Sequence, residues 1–238
     1  MLSKRCLSVV TLGITLILMS WVGRETPAAT INVPADQGTI QAAINAAVSG
    51  QDEVVVSPGT YLEAINFNGK AITLRSASGD PADTIIDGTG NYHVVQCVSG
   101  EGAGTVLEGF TITGGGDNGG AAYYGAGILC GGGSSPTIMN CIITGNNATY
   151  GGGIACWDNS HPVISGCTIA GNTGISAGGG IHCNTSSGPV IKETTIVNNS
   201  TGGKGGGVIL NTSSTAGVVG FPLRAPYAAS KWAVVGLG

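Results

Sequence analysis

Trp157, Asp158 and His161 stand together in the loop sequence WDNSHP. An indole face can pack on the C–H face of a sugar ring, while a carboxylate and an imidazole close by in the loop can bond its hydroxyls. The same loop also makes an ordinary solvated turn. Asp80, Asp83 and Asp87, in SGDPADTIIDG, place three carboxylates close together along the chain. Calcium takes several such oxygens, but Asp beside Pro or Gly is also common turn chemistry, and no metal site is assigned here. His93 and His182 lack partners at metal-ligand spacing and read as strand or turn residues.

The chain that must position these groups has an unusual composition. Of 238 residues, 43 are Gly, 9% are charged and 42% are hydrophobic, with a formal net charge of −4. The glycines cluster as GGG rather than falling at every third position, which excludes collagen. High hydrophobicity with little charge excludes a disordered chain. A basic footprint for nucleic acid is absent, and none is expected as a partner.

Aligned on the GGG clusters, the segments starting at Gly125, Gly151 and Gly178 repeat at intervals of 26 and 27 positions. Ile128, Ile154, Ile181 and Val208 then fall in one row. Cys130, Cys156 and Cys183 fall in a second, Ile143, Ile169 and Ile196 in a third, and Asn146, Asn172 and Asn199 in a fourth. A more diverged copy aligns Leu107, Phe110 and Ile112 with Ile138, Cys141 and Ile143, and Cys97 with the cysteine row. The step from Cys97 to Cys130 is longer than the repeat, so DNGGAAYYG reads as an insertion into one unit.

Each unit holds short β-favouring runs such as GILC, PTIM and CIITG, with nothing long enough for a helix. If one unit is one turn of a coil, equivalent residues stack about 4.8 Å apart as parallel strands and pair along the axis. Rows of identical residues follow from that geometry. The Ile, Val and Cys rows face a narrow, dry interior, the glycines occupy corners that need positive φ, and stacked Asn side chains can bond along the axis. The expected fold is therefore all-β, a parallel β-helix solenoid.

An open solenoid end exposes strand edges and apolar interior and needs a cap. Ile40, Ala43, Ile44 and Ala47 form an amphipathic stripe before Gly50, which predicts a capping helix near residues 38–49. The cysteines invite disulfides, because Cys130–Cys141 and Cys156–Cys167 repeat one separation. Thr194 and Phe110 occupy the equivalent of the second cysteine, however, so the row reads as packed interior with free, stacked thiols.

TIQAAINAA, VVVSPGTYLEAINFNGKAITLRS, TIIDG and LEGFTITGG resemble the N-terminal portion of secreted right-handed parallel β-helix proteins, a superfamily that includes pectate lyases, pectin methylesterases and bacterial surface proteins. The resemblance covers about residues 30–207 and implies a right-handed coil. Polysaccharide-cleaving members of that shape use clustered carboxylates, with calcium or as an acid and base pair. Between Gly114 and Gly207 the charged residues are Asp117, Asp158, Lys192, Glu193 and Lys204, and none recurs in register. The expectation is a non-catalytic surface or carbohydrate-contacting module; the alternative is a pectate-lyase-like enzyme that lacks its catalytic coils.

Two terminal segments stand apart. Residues 1–29 carry Lys4 and Arg5, then an apolar run, then a small-residue end with cleavage expected near Ala28 or Ala29. That order is a secretory signal, so the mature chain is expected to be secreted, on the cell surface or periplasmic, outside the membrane, with extracellular polysaccharide or cell-surface components as partners. Residues 208–238 resemble the active-site stretch of short-chain dehydrogenases/reductases, a short α/β-type piece that is not an independent fold. The resemblance makes Ser214, Tyr227 and Lys231 the catalytic Ser, Tyr and Lys, and implies NAD or NADP only within a complete domain. Thr173, Gly174, Gly178 and Gly180 spell a dinucleotide fingerprint, but they lie inside a coil repeat, too close before Ser214 to leave room for the intervening strands and helices of that family. This tail is read as an inactive fusion remnant or as an assembly or frame artefact in the gene, and no cofactor is assigned.

Overall fold

The computed structural model describes residues 28–90, 93–116, 124–184 and 186–210. The expected signal segment, apart from its last two residues, and the dehydrogenase-like residues after Leu210 lie outside them. The architecture is a solenoid of parallel strands, as the repeat requires. Sheet A stacks seven strands from Thr30–Val33 to Val190–Lys192. Sheet B stacks six, from Gly59–Leu62 to Thr195–Val197, and sheet C another six, from Ile65–Asn66 to Val208–Leu210. Every pairing among these described strands is parallel and crosses from one coil to the next.

The sequence rows are the register. Ile128 pairs with Ile154, Ile154 with Ile181 and Ile181 with Val208. Cys97, Cys130, Cys156 and Cys183 pair in the same order. Ile112, Ile143, Ile169 and Ile196 form the corresponding column of sheet B. In strands of sheet C such as Ile128–Cys130 the two outer residues point inward, so this register fills the interior with stacked methyls and thiols. Cys97, Cys130, Cys141, Cys156, Cys167 and Cys183 are all free and buried.

A fourth sheet departs from the expected three-run coil. Sheet D comprises Asn147–Tyr150, Thr173–Ala177 and Ser200–Thr201, which lie between the Asn row and the next glycine cluster. These strands lack clean apolar alternation, so from sequence they read as turns. At the corner after the first of them, Gly151 adopts φ +68°. Gly153 has no such φ, but a Cβ there would meet the Gly180 carbonyl oxygen at 2.6 Å. Conformation selects the first glycine and close packing between coils selects the second.

The cap is the helix Ile40–Ala46, with Ile40, Ala43 and Ile44 buried on the solenoid end. Thr39 Oγ1 accepts from Ala42 N, and the Glu63 carboxylate accepts from Ile40 N and Gln41 N, satisfying donors at the helix start. Lys70 Nζ donates to the carbonyls of Ile44, Asn45 and Ala47. Ala47 is already extended, so the helix is shorter than the apolar stripe. Among the described residues no helix is long and apolar enough to cross a membrane.

Candidate functional site

The outward row of sheet C runs Gln96, Leu129, Ala155 and His182. An outward row should meet solvent, yet Ala155 is 1% and His182 3% exposed. The chain leaving sheet D folds back over them: a Cβ on Gly151 would touch the Ala155 side chain at 3.1 Å, and one on Gly178 the His182 side chain at 2.9 Å. The residues just before two of these corners are Tyr124 and Tyr150, which form a parallel bridge between adjacent coils.

Their rings stack with centroids 5.5 Å apart and an interplanar angle of 23°. Tyr124 also packs on Trp157, at 4.1 Å, and Tyr150 on His182, at 5.1 Å. Four rings thus form a continuous series, Trp157, Tyr124, Tyr150 and His182, across neighbouring coils. The first three are half-buried and keep part of their surface toward solvent. His182 lies under the series, its Nδ1 buried without a hydrogen-bond partner, and burial pushes its pKa below the ordinary value.

Trp157 stands on a fastened loop. Its backbone N–H donates to Cys130 O at 2.8 Å, and Ser160 Oγ donates to its carbonyl at 2.6 Å. On the other side, Ser160 N donates to Ser187 Oγ of the next coil. Asp158 and Asn159 take left-handed conformations, φ +50° and +59°, and the Asp158 carbonyl accepts from Gly133 N. His161 Nδ1 lies 3.2 Å from Gly188 O and Nε2 3.3 Å from Asn159 Oδ1. Asp158 and His161 are exposed at the rim of the loop, whereas Trp157 finds its ring partner in Tyr124, from the preceding coil. Tyr124 and Tyr150 were findable: they stand one repeat apart and each precedes a corner glycine.

Of the remaining candidates, Asp80 and Asp83 lie in a turn and Asp87 ends the strand Thr84–Asp87. Asp80 Oδ1 accepts from Ala82 N, Asp83 Oδ1 from Ser78 and Thr84 hydroxyls, and Asp87 Oδ1 from Thr89 N. Among the described residues no group of three or more His, Cys, Asp or Glu is arranged to hold a metal. His93 Nδ1 lies 2.8 Å from Gly125 O, and burial lowers its pKa. Glu101, not singled out from sequence, is 1% exposed and accepts from Gly69 N, Ser99 N and Ser134 Oγ. Three donors make it a staple between coils.

Thr173 and Gly174 lie in the sheet D strand Thr173–Ala177, and Gly178 and Gly180 form the corner leading into the strand Ile181–Cys183. A strand rather than a helix N-terminus follows Gly180, so these residues do not fit a dinucleotide. Ser214, Tyr227 and Lys231 lie outside the described residues.

Two solved structures are similar to the chain. The pectin methylesterase from Aspergillus niger shares 17% identity over 74% of this chain and 61% of its own, with a TM-score of 0.44. YbhC from Escherichia coli shares 15% over 88% of this chain and 70% of its own, with a TM-score of 0.47. The chain thus spans about three fifths of the length of the first. No curated protein sequence matches it. Residues 83–220 match the family model for the right handed beta helix region, a match that takes in the stacked coils from sheet B's Thr84–Asp87 onward, and the chain belongs to that family.

Proposed function

We propose that the protein is an exported, non-catalytic β-helix module that contacts carbohydrate through Trp157, Tyr124 and Tyr150, with Asp158 and His161 at the rim. The observation that carries this reading is the packing of Trp157 on Tyr124 at 4.1 Å, on a loop held by hydrogen bonds to both neighbouring coils. Half-buried rings held in place offer an apolar face to a sugar at little ordering cost. The polar Asn, Ser and Thr turns around them bring little charge to the face. Extracellular or cell-surface polysaccharide is the partner class that this chemistry fits.

Affinity electrophoresis of the mature protein through gels containing neutral and acidic polysaccharides tests the reading. Retardation by at least one polysaccharide is expected, with the effect reduced about tenfold in Trp157→Ala and less in Asp158→Ala or His161→Ala. Unretarded migration across the panel overturns it. Formation of unsaturated product from polygalacturonate with calcium, followed by absorbance, would instead establish a lyase. N-terminal sequencing of the exported protein is expected to begin close to residue 29; an intact Met1 would refute cleavage.

A further inference from the structure

Asn68 and Gly69 form the one Asn-Gly pair among the described residues. They are the central residues of a turn between the strands Ile65–Asn66 and Thr73–Ser76. Both have positive φ, +53° and +74°, and Lys70 N donates to Phe67 O across them at 3.0 Å. That is the mirror-image turn which selects Asn-Gly. Both residues are exposed, so water reaches them.

The turn is also the clasp of the cap. Asn68 Nδ2 donates to Asn45 Oδ1 of the capping helix at 3.2 Å, and neighbouring Lys70 holds the carbonyls of Ile44, Asn45 and Ala47. Between them, Gly69 N donates to Glu101 Oε1 of the adjoining coil at 2.8 Å. Glu101 is 1% exposed, and its other oxygen accepts from Ser99 N and Ser134 Oγ.

An Asn-Gly pair has a chemical weakness. Once the Gly N–H loses its proton, that nitrogen can attack the Asn carboxamide, since no Cβ on the glycine hinders the approach. A bond forms between Gly69 N and Asn68 Cγ, the Cγ–Nδ2 bond breaks, and ammonia leaves with a proton from water. Water then opens the cyclic imide at either carbonyl, leaving an aspartyl or an isoaspartyl linkage. In sum, one amide and one water become a carboxylate and ammonium, and no oxidant is needed. A charge-assisted hydrogen bond to a buried carboxylate opposes the first step, because removing the proton leaves two negative groups face to face with little water between them. Glu101 therefore guards the one nitrogen whose ionisation starts the reaction.

We propose that Asn68 is a deamidation site that Glu101 keeps closed, and that its conversion unfastens the cap. The product carboxylate cannot donate to Asn45 Oδ1 and sets a second acceptor against it. The isoaspartyl form also adds a backbone carbon to a turn whose ends are joined at Phe67 and Lys70, which moves Gly69 N and Lys70 Nζ off their partners.

Peptide mass spectrometry of the full chain, incubated folded and in guanidinium at pH 8, tests this. Folded protein is expected to convert Asn68 at least about tenfold more slowly than the unfolded chain; equal rates overturn the proposal. Glu101→Gln keeps the shape and removes the charge. It is expected to convert Asn68 about tenfold faster than folded wild type, as the loss of one charged hydrogen bond implies. An unchanged or slower rate overturns the role of Glu101. Should that variant fail to fold, exchange of the Gly69 amide in the wild type decides: slow exchange is expected, and free exchange beside an unmodified Asn68 refutes the guard. The isoaspartyl protein, separated by ion exchange, should exchange amide hydrogens in Ile40–Ala46 about tenfold faster than unmodified protein. Equal exchange refutes the link to the cap.

Discussion

The Asn146 side-chain amide donates to Asn172 Oδ1 at 3.0 Å, and Asn172 repeats the bond to Asn199 at the same distance. The ladder also ties backbone: Asn172 Oδ1 accepts from Asn146 N, while Asn172 Nδ2 donates to the Ile143 and Ala170 carbonyls. Each amide therefore joins coils and holds the entry to sheet D.

Asn172→Ala strands these buried donors and acceptors, and the expected loss is about 3 kcal/mol, since each unmet buried group costs about 1–3 kcal/mol. Asn172→Asp keeps the shape but turns a donor toward two carbonyls into an acceptor, and should be at least as damaging. Guanidinium denaturation midpoints measure both. An Asp variant as stable as wild type would show that the ladder contributes nothing.

Glycine substitutions should separate conformation from crowding. Gly133 has φ +75° with nothing within 4 Å of the place a Cβ would take, so Gly133→Ala should cost about 1–2 kcal/mol, the left-handed penalty. At Gly153 a Cβ meets Gly180 O at 2.6 Å and Ile169 Cγ2 at 3.0 Å, so the coils must part. Gly153→Ala should lower the melting temperature more than Gly133→Ala, and the reverse order would contradict the packing argument.

The thiol columns should be inert. Contact with the Cys130 thiol and burial push Cys97 well above its ordinary value, contact with Cys183 and burial do the same for Cys156, and burial with contact from Cys167 does so for Cys141, whereas the hydrogen bond with Cys141 lowers Cys167, which burial alone protects. Thiolate is the reactive form. An aromatic disulfide reagent at pH 8 is therefore expected to spare all six interior cysteines in the folded protein and to modify all six once it is unfolded in guanidinium. Reaction of the folded protein within minutes would contradict this burial.

Stability should fall on mild acidification. Burial lowers the pKa of His93 and His182 below 6.5 in the folded chain, while the unfolded chain titrates at about 6.5. The unfolded state then binds more protons between the folded values and about 6.5, so stability is complete above that window and is lost as pH drops through it. Melting temperatures at pH 7 and pH 5 measure the loss. His182→Phe, which keeps a ring under Tyr150 and removes both the titration and the orphaned Nδ1, should lose less between those pH values; an unchanged pH dependence would clear His182 of any role.

Much of the fold was legible because a solenoid writes its register into its sequence. Ile154 must lie beside Ile128 and Ile181, since an interior of constant cross-section needs similar volumes at each level, and the spacing of the repeat names the partners. The capping stripe was visible in Ile40, Ala43 and Ile44, but its early end was not, because Lys70 closes it from another coil. Sheet D was hidden: Asn147, Thr149, Thr173 and Ser176 give no alternation, and their strands form only because neighbouring coils supply the edges. Glu101 was equally hidden, since a carboxylate can be buried there only where Gly69, Ser99 and Ser134 converge on it.

By itself the sequence determined which residues stack on which, because each coil repeats the demands of the one before it. Tertiary structure alone decided what the outside of the coil presents. Trp157 is one exposed-looking aromatic in a turn until the fold brings Tyr124 against it at 4.1 Å, and His182 is an outward strand residue until the chain leaving sheet D covers it. Tyr124 and Tyr150 repeat at the coil spacing, but the in-register neighbours of Trp157 are Gly131 and Asn184 and that of His182 is Ala155, so only packing in three dimensions brings the four rings together.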